Sequence, residues 1–163
     1  MTMLRNPAHR VSPRAMVKWT IEHVIGGVVL TACSFGLAQW ADQARWSWRF
    51  GWLPWTVAGV SLVLAAVVPY WRYRVHRWEV SSDVVYTQAG WLNREWLLVP
   101  VSRIQTVDAE QSWLERLLDL ATLRISTASH EGSSELSGLP LTAATSLASE
   151  LAARAHALRD DAT

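Results

Sequence analysis

The chain holds one cysteine, Cys33, among 163 residues. That excludes an intrachain disulfide and any cysteine-rich zinc site. Its five histidines, His9, His23, His76, His130 and His156, are scattered, with no HExxH and no paired metal-ligand spacing. There is no GxSxG, no phosphate-cradling loop and no GxGxxG. Asp108 and Glu110 stand two apart, the pattern of a solvated strand face rather than a working carboxylate pair. Nothing groups these residues into catalytic machinery, so no enzyme, cofactor, metal or small-molecule substrate is expected. Nucleic acid is not an expected partner either.

Two further stretches lack Asp, Glu, Lys, Arg and His altogether: Val24–Ala41 and Phe50–Trp71. Twenty-two residues of helix reach ~33 Å, enough for a ~30 Å hydrocarbon core. The first run becomes a full span when taken from Trp19, with Glu22 and His23 in its first turn. Lipid offers the backbone no hydrogen bonds, so such runs are helices. Trp19 and Trp40 bracket the first and Trp52, Trp55 and Trp71 flank the second, as interfacial aromatics do. The short connection between them predicts an antiparallel hairpin. Small residues recur along both helices, Gly27, Thr31, Ser34 and Ala38 on one and Ala58, Ser61 and Ala65 on the other, and mark the expected packing seam.

Charge is divided. Residues 1–77 carry nine Lys/Arg against two acids, residues 78–163 six Arg against twelve. Arg5, Arg10, Arg14 and Lys18 precede the first span and Arg72, Arg74 and Arg77 follow the second, with only Arg45 and Arg49 between. The positive-inside rule then predicts both termini in the cytoplasm of a multi-pass inner or plasma membrane protein. Leu30-Thr31-Ala32-Cys33 matches a lipoprotein cleavage box, but the long basic region, Glu22, His23 and the apolar residues after Cys33 favour a chance match inside a span. Glu22 and His23 admit a reading as a proton site. Their place one turn from Lys18 favours interfacial snorkelling and an i,i+4 ion pair.

From Val75 the period becomes that of strands. Trp78 and Val80 alternate with polar residues, Val84 and Tyr86 follow, Ala89-Gly90 reads as a turn, and Trp91–Val99 as a strand ended by Pro100. Ile104 and Val107 fall out of phase, predicting a bulge or turn. Leu123, Ile125 and Thr127 alternate cleanly, His130–Ser134 reads as a turn, and Glu135–Leu139 as a last strand. Ser112–Leu120 predicts two helical turns with Trp113, Leu114, Leu117 and Leu118 on one face. Thr142 is the expected cap of an amphipathic helix over residues 142–159, striped by Ala144, Leu147, Ala148, Leu151, Ala155 and Leu158. The expected organisation is a basic cytoplasmic tail (1–18), a two-helix transmembrane hairpin (19–71) and a β-rich cytoplasmic domain (72–163).

Arg77-Trp78-Glu79-Val80, Val99-Pro100 with Arg103-Ile104-Gln105 and Val107, the Leu-rich turn before Leu120-Ala121, Leu123–Ala128 and Gly138-Leu139 carry a resemblance. They resemble the bacterial pleckstrin-homology (PH)-like, membrane-flanked family of the YdbS type. The resemblance implies a mainly-β PH-like barrel of two near-orthogonal sheets, closed by the C-terminal helix, behind the membrane α-helical hairpin. It also implies a membrane-protein partner bearing similar domains. Asp119 departs from the family, where a glycine commonly precedes the Leu-Ala pair.

Binding is thus the expected class, in two versions. One is a membrane-tethered adaptor or scaffold that contacts protein, a copy of itself or a partner, through Trp113, Leu114, Leu117, Leu118, Trp91 and Trp96. Trp91 and Trp96 stand an odd number apart, so one should face outward. The alternative for the 113–118 face is that it simply plugs the barrel. The other version is an anionic-lipid headgroup module using Arg72, Arg74, Arg77, Arg94 and Arg103. The domain beyond Arg77 is acidic, has no lysine and spreads its arginines, which favours protein contact.

Overall fold

A computed structural model describes residues 7–44, 50–81, 84–90, 94–127 and 134–160. The chain divides into two compact units, Val17–Tyr70 and the remainder.

The Val17–Tyr70 unit contains most of two helices, α1 (Pro13–Gln43) and α2 (Leu53–Val75), each long and apolar enough to cross a membrane. Ser12 starts α1 by accepting a hydrogen bond from the Arg14 amide, with Pro13 in the first turn, where a missing N–H costs nothing. The expected seam is present. A methyl on Gly27 would sit 2.8 Å from the Ser61 Cβ, and Ser34, Ala38 and Ala65 are buried. Lys18 Nζ lies 3.7 Å from Glu22, the i,i+4 pair expected of an interfacial turn. The helix runs on through Cys33, which is exposed.

The other unit is built on two antiparallel sheets. Sheet A has the order β1 (His9–Arg10), β2 (Arg77–Val80), β3 (Val84–Gly90), β4 (Arg94–Pro100); sheet B has β5 (Ile104–Glu110), β6 (Leu120–Thr127), β7 (Ser134–Pro140). A 3-10 turn, Val101–Arg103, joins them. No ladder links the two sheets among the described residues, so the expected closed barrel is instead a pair of separate sheets. Their shared core combines Val85 and Val99 of sheet A with Leu123, Ile125, Leu136 and Leu139 of sheet B. The C-terminal helix α4 (Leu141–Asp160) adds Ala144, Leu147, Leu151 and Ala155, whereas Leu158, one turn further, is exposed.

Four local expectations change. Residues 9–10 are not tail but a strand paired with Trp78 and Arg77, and Val11 and Ala15 are buried. Ala89 and Gly90 are not the turn; they continue β3 and pair with Glu95 and Arg94 of β4, and residues 91–93 lie outside the described set. Trp91 and residues 130–133 of the expected turn also lie outside it. On β3 the core face is Val85 and Thr87, not Val84 and Tyr86. Finally, α4 begins at Leu141 and not after Thr142, since the Leu141 amide donates to the Asp119 carbonyl and needs no side-chain cap. The expected irregularity in β5 is present as a register shift between Ile104 and Thr106.

The joint between the second long helix and the sheet is one residue, His76, between Val75 and Arg77. Its Nδ1 lies 3.0 Å from the Arg72 carbonyl. Burial, with Arg72 beside it, holds the imidazole down to about 4, so it is neutral at physiological pH.

Candidate functional site: the capped helix α3 and the open edge of sheet A

Helix α3 (Trp113–Leu118) has only six residues, too few to persist alone in water, and is held by its ends. Ser112 Oγ accepts from the Glu115 amide (3.3 Å), while Glu115 Oε2 accepts from the Ser112 amide (2.7 Å), a reciprocal capping box. Glu115 Oε1 takes a further bond from Thr122 Oγ1 at 2.7 Å. At the other end Asp119 adopts the left-handed conformation (φ 56°), and its amide donates to the Glu115 carbonyl. Aspartate is among the few residues other than glycine that tolerate this conformation. Arg14 donates to the Leu118 carbonyl and to Asp119 Oδ2 (3.3 Å), clamping the end of α3 to the first turn of α1.

These bonds set the rotation of α3, and the expected single apolar face splits. Glu115 must point inward to reach Ser112 and Thr122, so Leu114 and Glu115 are buried and Leu118 is half-buried. Trp113 and Leu117, one turn apart, are left 70% and 75% exposed. The buried and the exposed apolar side chains are therefore different residues of one helix.

A second apolar surface lies on β4. Trp96 (37% exposed) and Leu98 (51%) stand opposite Gln88 and Tyr86, on the face of sheet A away from the core. Trp96 is thus an outward tryptophan of the Trp91/Trp96 pair. Tyr86 OH and Gln88 Oε1 on that face are buried without a partner, as is Trp78 Nε1 on the other.

The arginines are not drawn into one cluster. Arg72 and Arg74 occupy the last turn of α2, where cations complement the helix dipole. Arg77 starts β2 and donates to the Pro7 carbonyl. Along the backbone, Arg94 begins β4 and Arg103 lies three residues beyond its other end. Seven extended residues put roughly 20 Å between those ends. Among the described residues no three His, Cys, Asp or Glu side chains gather where a metal could sit. Within the hairpin, a groove of about 430 Å³ is lined by His23, Gly27, Thr31, Phe35, Ser61 and Ala65, among others.

Two antiparallel sheets closed over by a C-terminal helix, behind two apolar helices, match a known family. The bacterial PH domain family aligns with residues 20–155. The chain belongs to that family. This bacterial PH domain is also similar to the UPF0699 transmembrane protein YdbS of Bacillus subtilis (strain 168), with 28% identity over 130 residues, 77% of this chain and 80% of that protein. No solved structure matches. The alignment begins at Thr20 and so includes both apolar helices; with a relative described as transmembrane, it supports a membrane location.

Sequence reasoning missed the contribution of Pro7–Ala15 to the β-rich unit. The Ser12-Pro13 pair was the available signal, since it marks a helix start well before Trp19.

Proposed function

We propose that this bacterial PH domain is a membrane-tethered adaptor that works by protein contact at the cytoplasmic face. Both apolar helices cross the bilayer in this reading. The pairing of β1 with β2 supports it, because strands before the first helix and after the second meet only when the chain crosses an even number of times. The excess of Lys/Arg outside the connecting loop supports cytoplasmic termini.

One observation carries the contact reading: Trp113 and Leu117 are exposed on a helix fixed at both ends. A preorganised aromatic-aliphatic pair can bind without an ordering cost, and tryptophan is the side chain most often found to dominate an interface. The dispersed arginines give a lipid-headgroup reading less support, since anionic headgroups call for clustered cations.

The test uses the full chain in native membranes. W113S/L117S should keep its thermal midpoint while losing a co-purifying membrane protein retained by the parent. Loss of folding in that variant would instead make the pair structural. Salt-sensitive retention of the variant's partner-free form by anionic vesicles would move the reading to lipid.

A further inference from the structure

Sheets A and B together have four edges, and three are blunted. At the far edge of sheet A, β1 is only two residues long. In sheet B, β5 carries a register shift and exposed Asp108 and Glu110, and α4 packs along it. The edge of β7 is engaged by the Ser12 amide, which donates to the Gly138 carbonyl at 2.9 Å. Short strands, bulges, edge charges and covering segments are the means by which proteins avoid unwanted strand pairing. The fourth edge, β4, has none of them along its centre. It is seven residues long, its only substantial neighbour is β3, and no backbone hydrogen bond joins its Trp96, Leu98, Val99 or Pro100 to another described segment. Its outward side chains include Trp96 and Leu98.

We propose that β4 pairs antiparallel with β4 of a second copy, across a two-fold axis at Leu97. The occupant follows from register. Full overlap of residues 94–100 with themselves sets Trp96 opposite the second copy's Leu98, and Leu98 opposite its Trp96, on one face. An aromatic residue facing an aliphatic one is a favourable cross-strand pair. The same register sets Arg94 opposite Pro100 and Glu95 opposite Val99, so no like charges meet. Pro100, which cannot donate, falls at both ends of the ladder. Shifting the pairing to bring Leu98 opposite Leu98 moves Pro100 inside the ladder opposite Trp96; shifting it to bring Glu95 opposite Glu95 opposes two carboxylates. The contact is isologous, as a closed dimer requires. It is small, but chains confined to one membrane meet at high effective concentration, so a modest interface suffices. The surface is distinct from Trp113 and Leu117, and its failure leaves the adaptor reading untouched.

The test is disulfide cross-linking of the full chain in membrane vesicles, in a C33A background, read on non-reducing gels. Directly opposed Cβ atoms lie about 5 Å apart and diagonal ones about 7–8 Å. W96C/L98C should therefore form dimer on the order of tenfold faster than W96C or L98C alone, since a disulfide needs the shorter separation. A double variant no faster than the singles, or W96C alone cross-linking fastest, overturns the proposal. L98K provides a second measurement that does not depend on the double variant folding. It should leave the melting midpoint unchanged and convert dimer to monomer in detergent; a dimer that survives L98K also overturns it.

Discussion

The two sheets of the β-rich unit are finished to different degrees. On sheet B the outward face is paired: Arg124 donates to Glu135 Oε1 and Glu110 Oε1, each at 2.7–3.0 Å, and both edges are covered or irregular. Among the described residues, the buried polar side-chain atoms left without a partner, Trp78 Nε1, Tyr86 OH and Gln88 Oε1, fall on sheet A. So do the exposed Trp96 and Leu98. Folding alone rewards pairing and covering such groups. Sheet B and α4 are thus closed on themselves, whereas sheet A keeps Trp96 and Leu98 on its outward face, the side that the proposed pairing of β4 would use.

If that division is right, equivalent truncations on the two sheets should differ most of all. Leu123→Ala, in the fully buried middle of sheet B, should cost about 2–5 kcal/mol. Leu98→Ala, on the outward face of β4, should cost under about 0.5 kcal/mol. Chemical denaturation of the full chain in detergent compares them, and equal losses would erase the contrast. Next in size is Glu115→Ala, which removes the capping box and leaves Thr122 Oγ1 without its acceptor; a loss of about 1–3 kcal/mol is expected by the same measurement.

The pH response belongs to the joint rather than to either sheet. In the folded chain His76 is held neutral down to about 4, whereas the unfolded imidazole titrates near 6.5. The unfolded state therefore binds the extra proton between those values, and stability should fall as pH drops from about 6.5 to about 4, then level off. The loss is at most about 3 kcal/mol, and less with solvent screening at this half-buried site. Melting curves across that window should flatten in His76→Asn. The smallest effect is expected of Asp119→Gly. Glycine relieves a left-handed backbone worth about 1 kcal/mol, and the exposed Arg14 ion pair it removes is worth about 0–1 kcal/mol, so the midpoint should scarcely move.

Elements written as simple periodicity were legible from the sequence. The charge-free runs, the alternation of Leu123, Ile125 and Thr127, and the apolar stripe of α4 through Ala155 each reflect one dominant force, burial of an apolar face. Legibility failed where a local rule met a distant partner. Trp113, Leu114, Leu117 and Leu118 share a helical face by spacing, but Thr122 and Ser112 recruit Glu115 and turn the helix, exposing two of the four. His9 and Arg10 carry no strand signal of their own; they are extended because β2, sixty-odd residues later, offers them an edge. The left-handed Asp119 follows from the abrupt end of α3 before β6, which no periodicity of the sequence announces.

The pairing of His9 with Trp78 also orders events during biosynthesis. On the two-span reading proposed above, β1 must wait, unpaired, while both long helices are made and inserted. Sheet A would then be completed by a segment made well before its partner strand. A chain whose insertion stalls after one helix would leave its opening residues and Trp78 on opposite sides of the bilayer. Such a misinserted chain would lack a docked β1 and expose the partner edge of β2, a ready mark for quality-control proteolysis.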